Sequence, residues 1–381
     1  MNAVFGAEHE AFRQSFRGWL DREAVPHTAE WNAAGIVPRE MFLEAGKHGF
    51  VGFEIPEDLG GAGIRDFRFN AVITQEIVRA GTIAVGIGIG LHNDIVVPYL
   101  TSLCSSEQAQ RWLPQVASGE AITAIAMTEP GAGSDLAGIR TTAVRDGNDY
   151  VVNGSKTFIT NGINADLVVT AVRTSESRHG GLSLLVLERG MPGFERGRNL
   201  AKIGQHGQDT AELSFTDVRV PAANLLGEEG KGFTYLVANL AQERMGIALF
   251  AQTMAEEALR HTLAYVDQRK AFGQSIGSFQ VSRHRLAELA TEIDVSASYV
   301  DRCLGQLLVD ELSHVAAAKA KWWTTEMLGR VVDGCLQLHG GYGYMEEYPI
   351  SQLYVDARIS RIYGGTTEIM KEIISKDLGL S

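Results

Sequence analysis

The chain has 381 residues, 45% of them hydrophobic and 21% charged, with a formal net charge of −12. That length exceeds one ordinary core, so two or three domains are expected, and the composition excludes a disordered, collagen-like or purely coiled-coil protein. With 46 acidic side chains against 34 basic ones, the field repels phosphate backbones and argues against a nucleic-acid partner.

The first third reads as helical. Phe5, Phe12, Phe16 and Leu20 recur at helical spacing, and the same period returns over 39–48, 67–80 and 108–117. The Gly-rich stretch 57–63 reads as a loop. The longest apolar run, 82–91, falls short of the ~20 residues that cross a bilayer. Near Ile122 the pattern changes to short β-branched runs at 141–145, 149–152, 156–160, 167–173, 182–188 and 211–220. Turn signals such as Asp146-Gly147-Asn148, Asn153-Gly154 and Asn161-Gly162 separate them, which predicts a sandwich or barrel. After Gly232 long helices return. Leu236, Leu240, Ile247, Phe250 and Met254 form one stripe; Leu286, Leu289, Ile293, Val300 and Leu304 form a second; Ala316, Ala320, Met327, Val331 and Cys335 form a third. Such helices joined by short loops predict a bundle. The expected fold is mainly α with a β domain: an N-terminal helical domain over 1–121, a β-barrel over 122–230 and a helical bundle over 231–381.

Three scattered cysteines, Cys104, Cys303 and Cys335, fit neither a disulfide framework nor a zinc site and predict a reducing compartment. The opening segment, MNAVFGAEHEAFRQSF, is amphipathic with early acids and does not read as a targeting peptide. A soluble, cytoplasmic protein is expected, or a mitochondrial-matrix one if the chain is a processed form.

The first stripe contains an anomaly. Between Leu240 and Ile247 the buried face falls on Glu243, and burial disfavours a charged carboxylate. Either Glu243 pairs with Arg244 or another arginine, or the stripe turns it to solvent, or it is a general base held in a dry cleft. Two glycine-rich segments offer backbone access to a flat or phosphorylated ligand. In 126–135, Thr128 and Ser134 add neutral donors, although a tight surface loop uses the same residues. Gln337–Gly343 is equally explained by a Gly helix cap, and Thr366-Thr367-Glu368 by a capping box. Neither glycine run has Walker or Rossmann spacing.

Taken in order, AMTEPGAGSDLAG (126–138), KTFITNG (156–162), RKAFG (269–273) with Phe279-Gln280, QLHGGYG (337–343) and DARISRIYGGTTE (356–368) resemble the acyl-CoA dehydrogenase family over essentially the whole chain. The resemblance implies a helical domain, a β-barrel and a four-helix bundle, assembled as a homotetramer or homodimer. It implies non-covalent FAD and oxidation of an acyl-CoA to the trans-2-enoyl-CoA. A base would take the α-proton while the β-hydride passes to flavin N5, and electrons would leave to an electron-transferring flavoprotein. By the same resemblance Ile125, Met127, Thr128, Gly133, Ser134, Phe158, Ile159 and Thr160 would line the isoalloxazine; many relatives have Trp where this chain has Phe158. Arg269, Phe272 and Gln280 would meet the pyrophosphate and adenosine. Gln337, Leu338, Gly340 and Gly341 would do so from a neighbouring subunit, and Thr366, Thr367 and Glu368 would lie near the phosphates. Ser134, Arg244, Gly364 and Gly365 would contact substrate, the Gly364 N–H and the flavin ribityl 2′-hydroxyl stabilising the enolate.

One departure decides the base. Familiar members carry a glutamate in a terminal Tyr-Glu-Gly-Thr run, whereas this chain has Tyr363-Gly364-Gly365-Thr366. The long-chain and isovaleryl branches are similar in lacking it and place the glutamate on the bundle helix before an Arg, which here is Glu243-Arg244. Glu368 is the runner-up acid. Long or medium acyl chains are the mild preference. An oxidase using oxygen, a non-catalytic FAD-binding partner in a hetero-oligomer, and a flavin oxidase or hydroxylase acting on a non-CoA substrate are the alternative readings.

Overall fold

The computed structural model describes residues 4–178 and 180–380. Its first part is helical: α1 Ala7–Glu23, α2 Thr28–Ala34, α3 Glu40–Lys47, α4 Phe67–Arg79, α5 Ile83–Gly90, a π-helical segment Leu91–Val96, α6 Val97–Leu103 and α7 Ser106–Ala117. Local chemistry fixes the ends. Asp66 accepts the Arg68 N–H at the start of α4, and Ser105 and Gln108 form a reciprocal capping box on α7. Phe16, Trp19, Trp31, Phe42 and Phe50 fill the core among these helices, each such burial worth ~1.5–3 kcal/mol.

The apolar run near 82–91 extends further than expected. Ile83–Leu103 is one continuous 21-residue helical run, long and apolar enough to cross a membrane by composition, yet 72% of its most apolar window is buried inside the protein. It serves as the central core helix of the N-terminal part.

The middle of the chain forms β1 Thr123–Ala126, β2 Thr142–Asp146, β3 Asp149–Thr160, β4 Leu167–Arg173, β5 Leu182–Glu188, β6 Phe194–Asn199, β7 Thr210–Pro221 and β8 Leu225–Leu226. The order is β6-β7-β3-β2-β4-β5-β8, with β1 parallel to β4. The expected barrel is thus corrected to an open mixed sheet: among the described residues its path does not return from β8 to β6. A single pairing, Thr142 with Arg173, joins its two halves. Strands β4 and β5 are buried on both faces. Leu167, Val169, Leu184 and Val186 pack towards Tyr99, Leu100, Trp112 and Leu236, while the alternating Val168, Val172, Leu185 and Leu187 face the sheet's own core. The Asn153-Gly154 turn signal is a bulge, not a turn, and the two expected strands are one.

The chain then forms α8 Gly232–Gln268, a small hairpin of β9 Lys270–Ala271 and β10 Gln274–Ser275, α9 Gln280–Leu307, α10 His314–His339, α11 Pro349–Ala357 and α12 Thr367–Asp377. The 37-residue α8 is about 55 Å long and packs on α4, α9, α10 and α11. It runs from the underside of the sheet, where Leu236 sits, to the hairpin, so it carries residues of widely separated regions.

Candidate active site

Glu243 is buried, 6% exposed, on the face of α8 between fully buried Leu236 and buried Phe250. Its partner is a phenol, not an arginine: Tyr99 of α6 donates its hydroxyl to Glu243 Oε1 at 3.1 Å. Burial pushes the carboxyl up to about 7, against the lowering pull of the Tyr99 hydrogen bond and the Arg244 charge. A carboxyl in that range is half-ionised near neutrality and can accept a proton.

Arg244, also buried, points to the terminal loop, its Nε donating to the Gly364 carbonyl at 3.4 Å. Lys321 of α10, fully buried, donates to the next carbonyl, Gly365 O, at 2.6 Å. Two cations from two helices therefore fix consecutive peptides of one loop. Gly364 and Gly365 have φ of +63° and +99°, a region open to glycine. A Cβ on Gly364 would lie 2.3 Å from Ile247 Cδ1, so any side chain there displaces Ile247. Among the described residues the Gly364 N–H has no hydrogen-bond acceptor and remains available.

The second element is the wall formed by the 127–134 loop and β3. Lys156, fully buried, donates to Glu129 Oε1 at 2.8 Å and to the Met127 carbonyl at 3.0 Å. Glu129 also accepts the Arg140 and Thr141 N–H groups. Burial acts to raise Glu129, but the Lys156 charge and these donors outweigh it and hold the carboxyl below its usual range. The Thr157 N–H donates to Thr128 O at 2.9 Å, stitching loop to strand. Phe158 stands out of this wall, 66% exposed at φ +60°, a strained setting for a bulky residue and one that presents an aromatic face. A Cβ on Gly131 or Gly133 would meet nothing within 4 Å, so the glycines leave open space beside it. Met127, Thr128 and Thr160 are half-buried and Ser134 is exposed. The side chains of Ile125 and Ile159 are turned into the cores beneath the wall and do not form its face. A wall of this kind, with an exposed ring, free glycines and neutral hydroxyls, fits a flat aromatic cofactor.

A third group lies elsewhere. The Arg269 guanidinium stacks 5.2 Å over the Tyr342 ring, which brings the 269–280 and 337–341 segments together within one chain. Phe272 is 95% exposed at φ +51°, and Gln280, Gln337, Gly340 and Gly341 are exposed while Leu338 is half-buried. Gly340 also caps α10, as the plainer reading expected. Arg269 follows the last residue of α8, so about 39 Å of helix separates it from Glu243. Thr366 caps α12 by accepting the Ile369 N–H, and Thr367 donates to Glu326 at 2.7 Å. Glu368 is exposed; its own N–H and Thr366 hold its carboxyl below the usual range, the wrong direction for a base.

Sequence reasoning missed Tyr99, Lys321 and the Lys156–Glu129 pair. Lys321 carried the same signal as Glu243, a charge set on the apolar face marked by Ala316, Ala317 and Ala320. Tyr99 carried none, since a tyrosine in an apolar run reads as core and its partner is 144 positions away.

Comparison with known proteins meets this geometry from outside. Profiles described as the N-terminal, middle and C-terminal domains of acyl-CoA dehydrogenase match residues 6–120, 124–218 and 230–379. The long-chain specific acyl-CoA dehydrogenase of mitochondria from Sus scrofa is 50% identical over 378 residues, 98% of this chain and 87% of that protein. The crystal structure of an acyl-CoA dehydrogenase from Geobacillus kaustophilus superposes with a TM-score of 0.97 at 51% identity, covering 100% of both chains. A glutaryl-CoA dehydrogenase from Mycobacterium smegmatis, solved in complex with FADH2, superposes at 0.91 with 25% identity, covering 99% of this chain and 96% of that one. The chain belongs to the acyl-CoA dehydrogenase family.

Proposed function

We propose that this flavoprotein oxidoreductase of fatty acid metabolism dehydrogenates a long-chain acyl-CoA to the trans-2-enoyl-CoA, with Glu243 as the base that takes the α-proton. The observation that carries this reading is a buried carboxyl, raised to about 7, set beside a glycine loop that two cations hold open. Glu243 removes the α-proton in a water-poor site. Charge developing on the thioester oxygen is met by the Gly364 N–H, which precedes the two peptides whose carbonyls Arg244 and Lys321 hold. FAD, the family's cofactor, supplies the acceptor for the β-hydride when bound. Met127, Thr128, Phe158 and Thr160 would hold its ring, and Arg269, Phe272, Gln280 and the 337–341 turn its distal half.

The helix length between Glu243 and Arg269 exceeds the span of one dinucleotide, so Arg269 and its neighbours are read as serving the cofactor of another copy. That extends to Arg269, Phe272 and Gln280 the trans role first assigned only to 337–341, and it supports an oligomer, read here as the homotetramer typical of the family. Domain limits at 121/122 and 230/231, a bundle built on α8, α9 and α10, a cytoplasmic location and an electron-transferring flavoprotein as acceptor belong to the same proposal. Preference for long chains is supported by the 50% identical long-chain relative. Anaerobic mixing of the yellow holoenzyme with a panel of acyl-CoAs tests it. Long straight chains should bleach the flavin fastest and yield the 2-enoyl product; no bleaching by any member would refute it.

A further inference from the structure

Tyr99 is a large, fully buried side chain whose hydroxyl needs an acceptor. Two lie within reach, Glu243 Oε1 at 3.1 Å and the Leu236 carbonyl at 3.5 Å, and the closer bond is strengthened whenever the carboxyl is ionised. Tyr99 follows the π-helical segment 91–96, where the helical hydrogen-bond register is interrupted. One carbonyl of that segment, Asp94 O, accepts from Gln242 Nε2 at 3.0 Å. Adjacent residues of α8, Gln242 and Glu243, are therefore both tied to the same buried helical run, which fixes the rotation of α8 at the base. We infer that Tyr99 is a positioning residue for the base, its hydroxyl anchoring one carboxyl oxygen of Glu243, favouring the ionised form and leaving the other oxygen to take the proton. The inference rests on the reading of Glu243 as the base.

The neighbouring charges leave Tyr99 this role. Arg244, on α8 itself, lowers the Glu243 pKa but donates to Gly364. Lys321 of α10 faces Arg244. Asp94, on the π-helical segment, interacts with Glu54. Arg79 of α4 acts on Glu256, further along α8. The 364–365 loop adds no charge.

The test is Tyr99→Phe in the FAD-loaded enzyme. The Glu243 carboxyl is titrated by infrared difference spectroscopy, its band assigned by loss in Glu243→Gln. The midpoint should rise by about one to two pH units. Flavin bleaching should slow at least about tenfold below the wild-type midpoint and stay within about twofold near pH 9. An unmoved midpoint, or equal slowing at every pH, overturns the inference. Should Tyr99→Phe lose its cofactor, 3,5-difluorotyrosine at position 99, a stronger donor of nearly the same shape, decides: the midpoint falls if the inference holds and stays if it does not. A Glu243→Gln enzyme that bleaches normally would overturn the base assignment itself, whereas an inactive Glu243→Gln with an unshifted Tyr99→Phe overturns only the role of Tyr99.

Discussion

A glutamate that keeps its proton up to about 7 in the folded chain weakens the fold at alkaline pH. In the unfolded chain the same group ionises near ~4.3. Between those values the folded state binds more protons, so stability falls as pH rises through that window, and above it the full cost of about 4 kcal/mol is present. Glu243→Gln should therefore be more stable than the wild type by up to that amount near pH 8 and gain nothing near pH 4, read by urea titration at both. Equal stability at the higher pH would mean the carboxyl is well solvated. The same residue scale shows what an acid placed in the terminal loop would meet. Gly364→Glu needs φ of +63° from a residue with a Cβ and requires Ile247 to give way. Glu243 was legible in sequence because it interrupts an apolar stripe, whereas the obstruction by Ile247 depends on how α8 approaches the loop and was not.

At the scale of elements, the proposed cofactor wall is held by a buried ion pair that joins the 127–134 loop to β3. Lys156→Met leaves Glu129 with its two backbone donors but no cation. Breaking a buried pair in this way costs about 3–5 kcal/mol. The variant should melt lower and retain less FAD, and Lys156→Met with Glu129→Gln should recover part of the loss; a fully loaded single variant of unchanged melting temperature would contradict this account. The two partners stand in separate motifs, so composition marked both segments without showing that they meet. Helices α1, α3, α4, α7, α8, α9 and α10 were legible from their 3.6-residue stripes, whereas the short α2, α6 and α11 were not, and β4 was legible from a β-branched run and β5 from a short apolar one. Strand β6, FERGRN, was not, because an edge strand of charged residues lacks the alternation that marks a half-buried one. The bulge at Asn153-Gly154 was misread as a turn for a related reason. Its chemistry suits either, and only pairing with β7 on both sides distinguishes them.

For the whole molecule, α8 sets the design. It carries Glu243, the proposed base, in its first third and leads into the Arg269 segment at the far end, about 39 Å of helix away. Exposed Phe272 and Tyr344 are consistent with surfaces completed by other copies. Hybrids provide the check: mixing Glu243→Gln chains with Arg269→Ala chains should restore turnover above either parent, since an intact base would then meet a neighbour's Arg269. No restoration in verified mixed oligomers would mean that Arg269 acts within its own chain. Such distances follow from helix length once the motifs are placed, so sequence found the segments, and the proposal that Arg269 serves a neighbour's cofactor came only with α8. The assembled enzyme also offers the most direct measurement of the central claim. Glu243→Gln holoenzyme, yellow and shown by equilibrium dialysis to bind acyl-CoA, is mixed anaerobically with a long-chain acyl-CoA and followed by flavin absorbance. The account predicts that the colour persists while the wild type bleaches; bleaching of the variant at the wild-type rate would contradict it.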